Sequence, residues 1–287
     1  LKKLGAKIKI KNGYIYATAK NGLIGNKIRF PSISVGATEN AIIAAAQAQG
    51  KTTLTNCAKE PEVKDLILFL RSLGCNINDS GRKIIVHGDF KPEPVTHSIM
   101  FDRIEAGTYL IASALIGKKI SIYGLETKII KTEIKILKKM GVRMNVEKNK
   151  IIVLQSPKIK KINIVTAPYP GFPTDLQAQI MVLMTKAIGK SSIKENIFEN
   201  RFMHVQELKR MGAKISIKNN YATIEGPTKL SGAEVMATDL RASVSLVLAG
   251  LIAENRTIIN RIYHLDRGYE KIEIKLRKIG AKIKRLA

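Results

Sequence analysis

Apolar and polar positions along the chain form a pattern that returns about every 68 residues. Its clearest mark is Leu-(Lys/Arg)-x-(Leu/Met/Ile)-Gly, which occurs five times, at Leu1–Gly5, Leu70–Gly74, Leu137–Gly141, Leu208–Gly212 and Leu276–Gly280. The glycines lie 69, 67, 71 and 68 residues apart. Each closes an amphipathic stretch of helical period, so the glycine is expected at a left-handed C-cap. A strand-like stretch follows each time, at 6–10, 75–77, 142–146, 213–217 and 281–283. In the first four copies a polar turn leads to a second strand, at 14–17, 83–87, 150–154 and 221–224.

The rest of the unit repeats as well. Apolar helices are predicted over 37–49, 106–116, 175–188 and 240–253, with Gly50, Gly117 and Gly189 ending the first three. Short strands over 52–55, 119–122, 191–194 and 257–260 precede the next amphipathic helix. The unit is therefore β-α-β-α-β-β. Its first helix is apolar on nearly every face and should lie inside the fold. The first motif sits at 1–5, so the pattern begins at the end of a unit. Four unit bodies follow, the last cut after one strand. The expected organisation is a partial first lobe over 1–101 and a second lobe of three bodies over 102–287. The chain reads as incomplete at its N-terminus.

Composition narrows the class. Hydrophobic residues make up 45% of the 287 positions and charged residues 25%, enough to bury a core and too apolar for a disordered polymer. The longest predominantly apolar stretch, 242–253, falls well short of the roughly 20 residues needed to span a bilayer. No long apolar segment near Leu1 reads as a secretory signal. Two cysteines, Cys57 and Cys75, make no disulfide scaffold and fit a reducing compartment, so a cytoplasmic protein without membrane association is expected.

The formal charge of +26 invites a nucleic-acid reading. Lysines outnumber arginines 36 to 13, whereas base-edge and phosphate readers favour the planar guanidinium fork. The lysines are spread along the chain, tryptophan is absent and aromatics are 5%, so stacking platforms are scarce. The charge reads as a solvated surface that favours anionic substrates, with no nucleic-acid partner.

Five segments carry a family likeness: Ser34-Val-Gly-Ala-Thr-Glu-Asn40, Gly171-Phe-Pro-Thr-Asp-Leu-Gln-Ala-Gln179, Glu199-Asn-Arg-Phe-Met-His204, Thr238-Asp-Leu-Arg-Ala-Ser243 and His264-Leu-Asp-Arg-Gly-Tyr269. In these the chain resembles the UDP-N-acetylglucosamine enolpyruvyl transferase family, along its whole length and in order. The resemblance implies an inside-out α/β barrel fold built of βαβαββ units in two lobes, the first incomplete here. It also implies transfer of the enolpyruvyl group of phosphoenolpyruvate to the 3-hydroxyl of UDP-N-acetylglucosamine, the first committed step of peptidoglycan synthesis. No cofactor or metal is implied. The family's phosphoenolpyruvate-binding lysine-asparagine pair, catalytic cysteine loop and uridine-binding arginine segment would precede Leu1. A separate N-terminal piece is thus a possible partner, and the chain by itself is expected not to turn over.

Read alone, Asp175 is a first-turn carboxylate favoured by a helix dipole. The resemblance makes it the base that accepts the proton of the attacking sugar hydroxyl. Arg267, Arg241, Arg201 and Arg103 stand at helix starts or strand-to-helix turns, where anions are favoured. By resemblance Arg267 and Arg241 hold the phosphoenolpyruvate site, Arg267 in a catalytic role. Ser32, Ile33, Ser34 and Val35 precede the first complete apolar helix. There Ser34 is an ordinary cap, and by resemblance the stretch contacts the nucleotide-sugar, although Ser32 stands where some members carry lysine. Ile197 matches a nucleotide-touching position that would otherwise be assigned to the core.

Cys75 replaces the small residue after a motif glycine, and Cys57 matches no shared role, so both read as inert thiols. The four histidines show no zinc-site spacing. The alternatives left open are a catalytically inactive fragment of such an enzyme, the shikimate-pathway enolpyruvyl transferase, and a basic RNA-binding repeat protein.

Overall fold

The five motif glycines share one backbone conformation. In the computed structural model, which describes residues 1–286, Gly5, Gly74, Gly141, Gly212 and Gly280 have φ between +87° and +100°. The residue after each glycine donates its N–H to the carbonyl of the motif leucine, as Cys75 does to Leu70 (3.0 Å), Val142 to Leu137 (3.0 Å) and Ala213 to Leu208 (2.9 Å). This is the six-to-one bond of a Schellman cap, and it explains why leucine, glycine and a small apolar residue recur together.

The elements run in the predicted order. They are β1 (Lys7–Lys11), β2 (Tyr14–Thr18), β3 (Lys27–Arg29), α1 (Val35–Ala46), β4 (Lys51–Thr55), α2 (Pro61–Ser72), β5 (Asn76–Ser80) and β6 (Lys83–His87). Then come α3 (Arg103–Ile116), β7 (Ile120–Tyr123), α4 (Lys131–Lys139), β8 (Met144–Glu147), β9 (Lys150–Val153), β10 (Ile159–Lys160) and β11 (Asn163–Val165). After these follow α5 (Gln177–Thr185), β12 (Ala187–Lys194), α6 (His204–Arg210), β13 (Lys214–Lys218) and β14 (Tyr221–Gly226). The last are β15 (Glu234–Met236), α7 (Leu240–Gly250), β16 (Ile258–Asn260) and α8 (Ile272–Lys278). Within a unit, the strand before the interior helix pairs parallel with the strand after it, as β3 with β4, β11 with β12 and β15 with β16. The two strands after the motif glycine form an antiparallel hairpin, as β5 with β6 and β13 with β14.

The chain divides into two compact units. One comprises Leu1–Met100 with Pro168–Pro170, and the other the remaining described residues from Phe101 onward. In the second unit α3 packs on α5 and α5 on α7. Every residue of α5 is buried, as are eleven of α3 and eight of α7. The surrounding strands turn one face inward, with Ile215, Ala222 and Ile224 in the core beside exposed Lys214, Ser216 and Lys218. Helices inside and strands outside is the inside-out α/β arrangement, required when helices lack a polar face.

Three expectations fail locally. Helix α5 stops at Thr185 instead of 188, because Ala187 and Ile188 pair with Ile159 and Lys160 and open an eight-residue strand. Gly189 therefore lies within β12, opposite Gly226, and caps no helix. Residues 281–283 form no strand. In the earlier copies the matching segment pairs with a second hairpin strand, as β5 does with β6 and β13 with β14. Helix α1 is not interior all round: Thr38, Ile42, Ala45 and Ala46 are buried, while Ile43 is 51% exposed. Its unit holds one such helix, covered on one side by β4, β6 and α2, whereas the other unit holds three that bury one another.

Candidate active site

Proline opens the turn that carries Asp175. Pro173 has φ −71°, and Thr174–Leu176 form a 3-10 turn that runs into α5. Asp239 caps α7 by accepting the N–H groups of Arg241 (2.8 Å) and Ala242 (2.9 Å), which puts Arg241 on the first helical turn. Arg201 comes from the loop between β12 and α6.

These three side chains meet. Arg201 Nη2 donates to Asp175 Oδ1 at 2.8 Å, and Arg241 Nη2 donates to Oδ2 at 2.9 Å. Each carboxylate oxygen thus faces its own guanidinium. The side chain of Asp175 is 34% exposed against 14% for each arginine, so the carboxylate is the more open member. Burial alone would raise the Asp175 carboxyl, but Arg241 and Arg201 together hold it below the usual carboxylate range. Two cations around one anion leave the cluster net positive.

Neutral groups flank the arginines. Arg241 Nη1 donates to the Tyr269 hydroxyl (3.3 Å), which also meets Thr108 Oγ1 (2.9 Å) and Gln179 Nε2 (3.4 Å). The same Gln179 amide donates to the Asp175 carbonyl (2.9 Å). The Arg201 guanidinium lies 4.8 Å from the centre of the Phe198 ring. Phe198 and Arg201 line a cleft of about 940 Å³ with Ile197, Phe202, Gln206 and Asn220.

The structure therefore brings Asp175, Arg241 and Arg201 together and places Ile197 on the adjoining cleft, 42% exposed. Arg267 ends a 3-10 turn at Ile262–Arg267, is exposed, and has no hydrogen-bond or ion-pair partner among the described residues. Ser32, Ile33, Ser34 and Val35 belong to the other unit, where Ser34 Oγ caps α1 by accepting the Ala37 N–H at 3.3 Å. Ile33 and Val35 pack on that unit's core. Arg103 is buried beside Glu133 (3.9 Å) and serves the interior. Burial pushes the Cys57 thiol up to about 11, and raises that of Cys75 too, so neither is a ready nucleophile. The lysines are less evenly spread than their sequence positions suggest, since Lys128, Lys131, Lys135, Lys138 and Lys139 share one groove along α4.

A family model described as EPSP synthase (3-phosphoshikimate 1-carboxyvinyltransferase) matches residues 1–276. UDP-N-acetylglucosamine 1-carboxyvinyltransferase of Pelagibacter ubique (strain HTCC1062) is 61% identical over 287 residues, all of this chain and 69% of that protein. This chain belongs to the UDP-N-acetylglucosamine 1-carboxyvinyltransferase family. The family's protein from Beijerinckia indica subsp. indica is 48% identical over 289 residues, covering 100% of this chain and 67% of its own length. Among solved structures, the enolpyruvyl transferase NikO from Streptomyces tendae superimposes with a TM-score of 0.90 at 28% identity, over 99% of this chain and 70% of that one. EPSP synthase from Acinetobacter baumannii, at 20% identity and a TM-score of 0.77 over 100% of this chain and 70% of its own, shares the fold. The groups around Asp175 and Arg241 that pattern reading passes over are Gln179, Tyr269 and Thr108. Of these, only Gln179 and Tyr269 fall inside the family-like segments.

Proposed function

We propose that this chain serves the transfer of the enolpyruvyl group of phosphoenolpyruvate to the 3-hydroxyl of UDP-N-acetylglucosamine, in the cytoplasm, as the first committed step of peptidoglycan synthesis. The observation that carries the reading is the carboxylate of Asp175 held between two guanidinium groups at 2.8 and 2.9 Å. Family membership gives the reaction, and the cluster supplies groups suited to it. Residues 1–101 and 102–287 are read as a partial first lobe and a second lobe of the two-lobed fold.

In this reading Asp175 accepts the proton of the 3-hydroxyl as its oxygen bonds to the phosphate-bearing enol carbon and the methylene carbon takes up a proton; loss of inorganic phosphate together with a proton from that carbon then restores the double bond. Arg241 and Arg201 draw the anionic donor, whose phosphate and carboxylate match guanidinium forks. An anion that engages the arginines competes with Asp175 for them. The carboxylate then loses part of the field that depresses its proton affinity, and becomes a stronger base when the donor is in place. Arg267, exposed and without a side-chain partner among the described residues, is free to turn to the same anion. The cleft beside Phe198 and Ile197 suits the nucleotide. In the other unit, taken by itself, the backbone amides at the start of α1 around Ser32–Val35 suit an anionic group.

Calorimetric titration tests the substrate class. The chain should bind UDP-N-acetylglucosamine in preference to shikimate 3-phosphate. Equal or reversed preference would move the assignment to the shikimate branch, and tight, salt-sensitive RNA binding would favour the reading based on charge.

A further inference from the structure

Glu195 is a buried carboxylate, 3% exposed, with no cation paired to it among the described residues. A buried charge without a counter-ion persists only when its lone pairs are filled by donors. Four donors fill them here. Oε1 accepts the Thr166 hydroxyl (2.8 Å) and the backbone N–H groups of Ile197 (2.8 Å) and Phe198 (3.0 Å). Oε2 accepts the Thr174 hydroxyl at 2.9 Å. Thr174 directly precedes Asp175 on the 3-10 turn, and Phe198 stacks beneath the guanidinium of Arg201.

We propose that Glu195 is a positioning residue that sets Asp175 and Arg201 against each other, by holding the turn of one through Thr174 and the loop of the other through Ile197 and Phe198. One side chain thus spans the two segments whose ends make the 2.8 Å ion pair. The loop carries no regular structure between β12 and α6, and two of its amides terminate on this carboxylate. Thr166 completes the clamp from the other side, since its hydroxyl oxygen also accepts the Asn196 N–H at 2.9 Å. Nothing in this arrangement touches the reacting atoms. Its effect on substrate rests on the transferase reading given above.

Two measurements separate the two ideas. In the first, the Asp175 carboxyl is titrated by carbon NMR without substrate, in the wild-type chain, Glu195→Gln, Glu195→Ala and Thr174→Val. Arg201 depresses that titration only while it stays against the carboxylate, and an opposite charge at this range lowers it by about 1–3 units. Glu195→Ala and Thr174→Val should each raise it by about one unit while circular dichroism stays that of the wild type. Glu195→Gln keeps an oxygen for the two amides and can donate to Thr174, so it should rescue the wild-type titration. Should Glu195→Ala fail to fold, Thr174→Val decides, because it removes one hydroxyl and leaves the buried carboxylate in place. An unmoved Asp175 titration in Thr174→Val would overturn the proposal. In the second measurement, UDP-N-acetylglucosamine affinity should fall about tenfold in Thr174→Val, in line with one lost charged hydrogen bond. Absence of binding by the wild-type chain would count against the transferase reading, and the substrate-free titration would still judge Glu195.

Discussion

Arg241 and Asp175, 66 positions apart in sequence, meet through a hydrogen bond of 2.9 Å between the first turns of two interior helices. The pair exists because α5 and α7 pack against each other with their N-terminal turns at the same end of the unit. Interior helices place few charged groups along their length, so charged chemistry collects at their ends. There the unpaired N–H groups also favour anions.

The pair should be visible in acid. Asp175 has its folded value below the ordinary 3.8, because Arg241 and Arg201 outweigh burial. A carboxylate depressed in this way stabilises the fold above its unfolded value, and that contribution is lost as pH falls through the folded value. Arg241→Met should therefore lower the unfolding temperature at neutral pH, and the gap to wild type should narrow as pH falls below 3.8. A gap that is the same at all pH values would show that Arg241 acts by packing alone.

His204 predicts a second acid effect of different range. It opens α6, is 2% exposed, and burial drives its imidazole down to about 4 from 6.5. Between those values the unfolded chain holds a proton that the folded chain does not. Stability should fall as pH drops from 6.5 toward 4, by about 1.4 kcal/mol per pH unit for the one proton. His204→Gln should flatten that segment of the denaturant-midpoint profile, and an unchanged slope would assign it to other groups.

Two glycines separate backbone strain from crowding. Gly212 has φ +93°, and a Cβ there would meet nothing nearer than 3.6 Å, so Gly212→Ala should cost about 1–2 kcal/mol through conformation alone. At Gly226 a Cβ would press on the carbonyl of Ala187 and come within 2.7 and 2.9 Å of those of Thr185 and Met184. Backbone must shift there, so Gly226→Ala should cost more, about 3 kcal/mol in urea unfolding.

The repeat was legible because one local device recurs with its chemistry intact. The Schellman cap needs leucine, a left-handed glycine and a small apolar residue, and each copy spells that out. The end of α5 was not legible, since Lys186-Ala-Ile-Gly189 suits either a helix end or a strand start, and pairing with β10 and β14 decided it. The site was half visible. Residue type alone makes Asp175 a helix-start carboxylate; the family resemblance marks Asp175 and Arg241, and Arg201 stands out only as one of four arginines at helix starts or turns. Glu195 lies in Lys194-Glu-Asn-Ile197, where nothing distinguishes a buried, four-donor carboxylate from a surface one. Its role depends on Thr166 and Thr174, which reach it only in the folded chain.

In the proposed transfer Asp175 faces the 3-hydroxyl of the sugar. The most direct test compares the affinities of UDP-N-acetylglucosamine and its 3-deoxy analogue for the wild-type chain and for Asp175→Ala, by calorimetry. A hydrogen bond from a hydroxyl to a carboxylate is worth about 1.5–3 kcal/mol, so the wild-type chain should prefer the natural nucleotide-sugar at least about tenfold. Asp175→Ala should bind the two compounds equally. A preference that survives in Asp175→Ala would place the hydroxyl against another residue and contradict the account.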